Sequence, residues 1–225
     1  MRKLILLPLI AIITMIAGCS DEDTNNEPSG LLYSYFPVNV GHEVIYDAVL
    51  ITYDDFSLEH DTDIYQIKEV IESVFEDQQG RPTQRLERYR RNTPNDSWVI
   101  HDVWTSNLTS VRAEKMEENI PYVKMVFPVS PSVSWNGNSL NTFELQEYEY
   151  DQINQADVVG GIAFDSTLTV IQMDETNAIY IKYEIEKYAT GVGCIYKVNN
   201  RIDLEPFGGM KSQSLYSETI VSWSN

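Results

Sequence analysis

Histidine, cysteine and cationic residues are scarce in this chain, and each shortage narrows what it does. Its three histidines, His42, His60 and His101, stand far apart, and none has the spacing of a two-histidine metal site. Lysine and arginine together number 16 against 34 acids, for a net charge of −18. Such a field repels phosphate backbones and anionic headgroups, which disfavours nucleic-acid binding and adsorption of the folded part onto a membrane face. No Gly-x-Ser-x-Gly elbow, phosphate loop or dinucleotide fingerprint is present. Carboxylates are plentiful, but sequence selects no acid–base pair among them. The expectation is therefore no enzyme, no metal and no cofactor. The densest acidic loop, Asp54-Asp55 with Glu59, His60, Asp61 and Asp63, lacks a glycine to aim its oxygens, so it reads as solvated rather than calcium-binding.

What is present begins at the first residues. Arg2 and Lys3 precede an apolar run from Leu4 to Ile16 that is interrupted by Pro8 and ends in Ile16-Ala17-Gly18-Cys19. A bilayer-spanning helix needs about 20 apolar residues, so a cleaved signal over residues 1–18 fits better. The residues before Cys19 resemble the lipobox of bacterial lipoproteins. That resemblance implies a diacylglycerol on the Cys19 sulfur, further acylation of its freed amine, and attachment held by two or three chains. Cleavage also removes Arg2 and Lys3 and deepens the negative charge by two. With Cys19 engaged, Cys194 has no partner, and its apolar setting, Gly191-Val192-Gly193-Cys194-Ile195-Tyr196, reads as a buried inert thiol.

Ser20-Asp21-Glu22-Asp23 resembles the acidic export signal that carries many Bacteroidota lipoproteins to the cell surface. Residues 19–30 are thus expected to form a lipidated cysteine and an acidic tether reaching on the order of 20 Å. From Ser20 to Gly30 no large apolar residue occurs, so that stretch has nothing to bury.

From Leu31 to Asn225 the chain has the length of one sizeable core, with no internal linker and no repeat. Fourteen tyrosines, many Val, Ile and Thr, and closely spaced turn residues point to strands. Strands are expected over Glu43 to Tyr53, Pro82 to Arg91, Trp98 to Trp104, Tyr122 to Phe127, Thr167 to Met173 and Asn177 to Tyr188. In the last of these, Ile179, Ile181, Tyr183 and Ile185 alternate with Lys182, Glu184 and Glu186, which predicts a dry and a wet face. Asp63 to Glu76 fits a helix through Ile64, Ile67, Ile71 and Val74, but its β-branched content favours a strand leading into a hairpin at Asp77-Gln78-Gln79-Gly80. The fold class is mainly β: about ten antiparallel strands in a strongly curved sheet, a partly closed barrel or a sandwich, with at most one helix.

Several stretches resemble an uncharacterised family of Bacteroidota lipoproteins. They are Tyr35-Phe36-Pro37 with Gly41 and Tyr46, Phe127-Pro128 with Trp135-Asn136-Gly137-Asn138, Phe164-Asp165-Ser166-Thr167, and Tyr188 to Gly193 with Ile195-Tyr196-Lys197. The resemblance implies location and β architecture but no activity. Physically the motifs read as scaffolding, with Asn136-Gly137 as a turn dipeptide and Trp135 as an anchor.

Weak contact candidates remain. Arg81, Arg85, Arg88, Arg90 and Arg91 are the one basic cluster, read either as cross-strand ion pairs or as a docking stripe for an acidic glycan or partner. Trp98 and Trp104 are either core residues or a sugar-stacking platform. Asp165-Ser166-Thr167 resembles a Bacteroidota O-glycosylation acceptor at Ser166, with a hydroxyl-bearing strand start as the equal alternative. These readings converge on an outer-membrane lipoprotein displayed at the surface, serving as a binding or envelope-structural module with a glycan, lipid or envelope protein as partner. The alternative is a carrier holding a lipid or other apolar molecule in a cavity of the curved sheet.

Overall fold

A computed structural model of the chain describes residues 32–225. The signal expected over residues 1–18, Cys19 and the tether expected to follow it lie outside the described residues. Twelve antiparallel strands form one continuous sheet that curls into a nearly closed barrel. They are β1 (Glu43–Asp54), β2 (Glu59–Glu76), β3 (Pro82–Arg91), β4 (Val99–Leu108), β5 (Arg112–Glu117) and β6 (Ile120–Val126), then β7 (Ser134–Asn136), β8 (Glu147–Val159), β9 (Ile162–Thr176), β10 (Tyr180–Ala189), β11 (Gly193–Leu204) and β12 (Met210–Ser224). The order across the sheet is β6-β5-β4-β3-β2-β1-β12-β11-β10-β9-β8-β7, so β1 pairs with β12 in the middle. The count exceeds the ten expected, because short strands such as β5 and β7 carry too few apolar residues for periodicity to mark them. Among the described residues the only helical element is a 3-10 turn over Tyr33–Tyr35. The hairpin reading of Asp63 to Glu76 holds: β2 turns through Asp77 to Arg81 into β3.

The two outer edges meet in a seam made mostly by side chains. One backbone bond crosses it, from Val123 N–H to Gly137 O at 2.9 Å. Beside it the Trp135 indole N–H donates to Val123 O (2.8 Å). The Tyr150 hydroxyl accepts from Val126 N–H (2.9 Å) and donates to Val126 O (2.6 Å). These contacts occupy backbone groups that an open edge would leave exposed for pairing with another chain. Gly137 is not the positive-φ turn residue that Asn136-Gly137 suggests. A Cβ there would lie 2.2 Å from Cζ of Tyr148, so it is glycine because the Tyr148 ring fills that space.

One end of the barrel is plugged by its own leading segment. Tyr35 is wholly buried, its hydroxyl 2.7 Å from Ser166 Oγ, and Gly191 N–H donates to Ser34 O at 2.8 Å. Phe36 joins Met125, Phe127, Leu168 and Val170 in the cluster above this plug. A second cluster around Tyr46, Ile67, Ile195 and Ile220 fills the β1–β2 and β11–β12 side.

Candidate functional site

Inward positions of a barrel strand alternate with outward ones, and here many inward positions are charged. Cross-strand register sets Glu69 beside Arg88, Glu186 beside Lys197, and Lys197 beside Glu218. Lys115, Glu117 and Lys124 come from β5 and β6. Arg88 binds Glu218 through a charge-assisted hydrogen bond and lies 3.5 Å from Glu69. Lys115 Nζ donates to Glu69 at 2.8 Å. Lys124 Nζ sits 2.8 Å from both Glu117 and Glu186, and Lys197 Nζ sits 2.9 Å from Glu117. Tyr216 donates to Glu218, and Tyr188 to Glu186. Four cations thus meet four carboxylates inside the barrel. Trp104 caps the set, with the Arg88 guanidinium 3.8 Å from its ring centre.

The dry and wet faces expected for β10 are only partly kept. Ile185 is buried as expected, but Tyr183 is exposed and Glu186, from the face expected to be wet, is 2 % exposed. Glu186 turns inward because Lys124 and Lys197 await it there.

The pairing moves protons away from neutrality. Burial alone would raise Glu117, Glu186 and Glu218, but the facing lysines and Arg88 outweigh it and hold all three low, Glu117 well below the usual carboxylate range. Burial would likewise lower Lys124 and Lys197, and the Glu117 and Glu186 carboxylates raise them instead. Burial, with Glu186 and Glu218 nearby, pushes the Cys194 thiol up, so it stays a neutral thiol. A general acid or base needs a pKa near the working pH, and these groups are moved away from it.

The pH dependence follows in sign. Carboxylates depressed in the fold add stability above their unfolded pKa of about 4.3, and that stability is lost as pH falls through their folded values. Lysines raised in the fold add stability below about 10.4, lost as pH rises through their folded values. Thermal melts should therefore be level from roughly pH 5 to pH 10 as far as these groups decide, and fall on both sides. A melting temperature unchanged at about pH 2 would contradict the pairing.

A cavity of ≈ 60 Å³ lies between these charges and an apolar wall that includes Phe36, Val44, Ile71, Leu86 and Val192, with room for a few waters. A carrier of an acyl chain needs several hundred Å³ with an aliphatic lining. The barrel shape is compatible with a carrier, but this volume is too small for an acyl chain. At the end opposite the plug the barrel opens into a mouth of ≈ 350 Å³, walled by Tyr65, Tyr122 and Tyr216, with Asp102, Glu117 and Glu118 at its polar side. Trp104, Glu117 and Lys197 line both spaces and separate them.

The residues singled out from sequence do not assemble. Arg88 is in the lumen, and Arg90 stacks on Tyr65 at 3.8 Å while binding Asp63. Arg81 pairs with Asp77 and Glu114, and Arg85 with Glu72 and Glu87, outside the lumen. Arg91 donates to Gln66 and the Pro94 carbonyl. The cluster is thus a set of local pairs divided between two faces of β3, as the cross-strand reading has it, rather than one stripe. Trp98 and Trp104 are parted by a bulge: Arg88 pairs with Asp102 and Tyr89 with Ile100, so His101 is an extra residue. Trp104 then faces the lumen, while Trp98 lies under Lys68 and Arg91, so they form no shared platform. The Ser166 hydroxyl is held by Tyr35, Asn154 and Thr190. Among the described residues no His, Cys, Asp or Glu cluster suits a metal.

Sequence reasoning missed Glu69, Lys115, Glu117, Lys124, Glu186, Lys197 and Glu218. Their signal lies in pairings between distant strands, which local periodicity does not carry. Comparison with protein-family models and with curated proteins finds no match to this chain.

Proposed function

We propose that this chain is an outer-membrane lipoprotein displayed at the cell surface, and that its barrel is a binding module that recognises polar partners at the open mouth. The observation that carries the reading is the opposition of the two ends. The segment that would follow the tether closes one end through Tyr35 and Phe36, and the mouth opens at the other. A domain held through Cys19 then turns its mouth away from the bilayer. The short apolar run before Cys19 and the acidic residues after it supply the address. Tyrosine walls beside carboxylates suit a polar ligand such as a glycan or an envelope-protein segment better than an acyl chain.

Radiolabelled palmitate should enter the wild type and not Cys19→Ser, and only the wild type should partition into detergent. Equal labelling and equal partitioning of the two would remove the anchor. A cysteine placed at His101, beside the mouth, should react with a membrane-impermeant maleimide on intact cells. Reaction only after lysis would remove surface display.

A further inference from the structure

The mouth end carries a second feature, a crest of bare apolar side chains on three neighbouring hairpin turns. Phe207, in the β11–β12 turn, is fully exposed, Phe56 and Leu58 in the β1–β2 turn are 95 % and 83 % exposed, and Ile179 in the β9–β10 turn is 61 % exposed. Backbone bonds tie these turns side by side: Asp55 N–H donates to Lys211 O (2.9 Å), and Leu204 N–H donates to Ile179 O (2.8 Å). They are thus successive points along the arc β2-β1-β12-β11-β10-β9. Exposed apolar residues scattered singly need no explanation, but large ones gathered on adjacent turns mark a contact surface.

The charge around the crest selects the occupant. Among the described residues, Asp55, Asp61, Asp174 and Glu205 form no ion pair, although they flank these turns. Asp54, by contrast, spends one oxygen on the Phe56 and Ser57 amides, which fixes the turn that presents Phe56. Lys211 and Arg201 are the cations at these turns, and Arg201 faces Asp203, so the unpaired carboxylates outnumber them and leave a negative field that repels anionic membranes and attracts cations. An acidic rim with apolar knobs complements a segment that is basic on one face and apolar on the other. We infer that this crest is a docking surface for cationic amphipathic peptide segments, with Phe56, Leu58 and Phe207 as apolar anchors and the rim carboxylates as charge partners. The inference is independent of the anchoring proposal, since it concerns the folded barrel alone.

The test uses the full chain carrying Cys19→Ser and a fluorescent Leu/Lys helix of about five turns with its leucines on one face. Anisotropy should report binding that weakens about tenfold between about 0.05 M and about 0.5 M salt. The paired substitution Phe56→Ser and Phe207→Ser should weaken it about tenfold or more, with the melting temperature unchanged because both side chains are solvent-exposed. Four results would overturn the inference. They are unchanged affinity in the paired variant, equal binding of a Leu/Glu helix of the same pattern, crest-dependent self-association seen by sedimentation with no peptide binding, and crest-dependent binding to zwitterionic vesicles in place of the peptide.

Discussion

Lys124→Met should lower the free energy of unfolding by about 3–5 kcal/mol, the usual cost of removing one partner from a buried ion pair. Lys124 is 3 % exposed and holds Glu117 and Glu186 at 2.8 Å each. Methionine fills a similar volume, so the loss is electrostatic rather than a cavity. The two carboxylates would then share Lys197 alone, at 2.9 Å from Glu117 and 3.6 Å from Glu186. In a chain of this size the melting temperature should drop by roughly 6–20 °C. The acid limb of the pH–stability curve should also move upward, because one carboxylate loses the cation that keeps it ionised. Lys182→Met is the control: Lys182 makes no ion pair among the described residues and lies over the Tyr180 ring, so its loss should cost under about 0.5 kcal/mol. Equal effects of the two substitutions would mean that the buried network carries no special weight.

Gly137→Ala should cost about 3 kcal/mol, at the upper end of what overpacking a filled site does. The new methyl would overlap the Tyr148 ring, which is 3 % exposed and packs edge-on against Trp135 at 5.9 Å. If Tyr148 retreats, Trp135 must move, and its indole N–H loses Val123 O, the acceptor on the opposite edge. If the backbone retreats instead, Val123 N–H loses Gly137 O. Either adjustment opens the seam. Hydrogen exchange at the Val123 amide should therefore quicken more than exchange at amides between β1 and β12, on the far side of the barrel. Unchanged protection of Val123 together with unchanged stability would show that the edges do not depend on this contact.

These two residues show what sequence does and does not carry. The β architecture was legible because strand chemistry is local, and the bounds expected for Pro82 to Arg91 match β3. The two-residue period in β10 was legible too, but periodicity separates two faces without saying which one turns inward. In an ordinary sheet the apolar face wins. Here Glu186 turns inward because Lys124, 62 positions away, meets it. Trp98 and Trp104 were read as core residues or a shared platform, and a single extra residue at His101 separated them. The seam left a partial trace: Trp135 stood out as an anchor and Gly137 as special. The reason for Gly137 was tertiary, since the Tyr148 ring occupies its Cβ position. The lumen network left no usable trace, because an acidic chain offers each cation many carboxylates and the choice among them belongs to the register.

The central claim is that the barrel interior is an ion-paired network, and the recognition proposed for the mouth and its rim depends on it. Carbon-13 NMR of the glutamate carboxyls, followed through an acid titration of the full chain with Cys19→Ser, tests it most directly. Glu117, Glu186 and Glu218 should stay ionised below the range in which exposed glutamates titrate, around pH 4.3. Titration of Glu117 and Glu186 above that range would mean protonated, neutral carboxyls and an interior suited to apolar cargo, and would contradict the account.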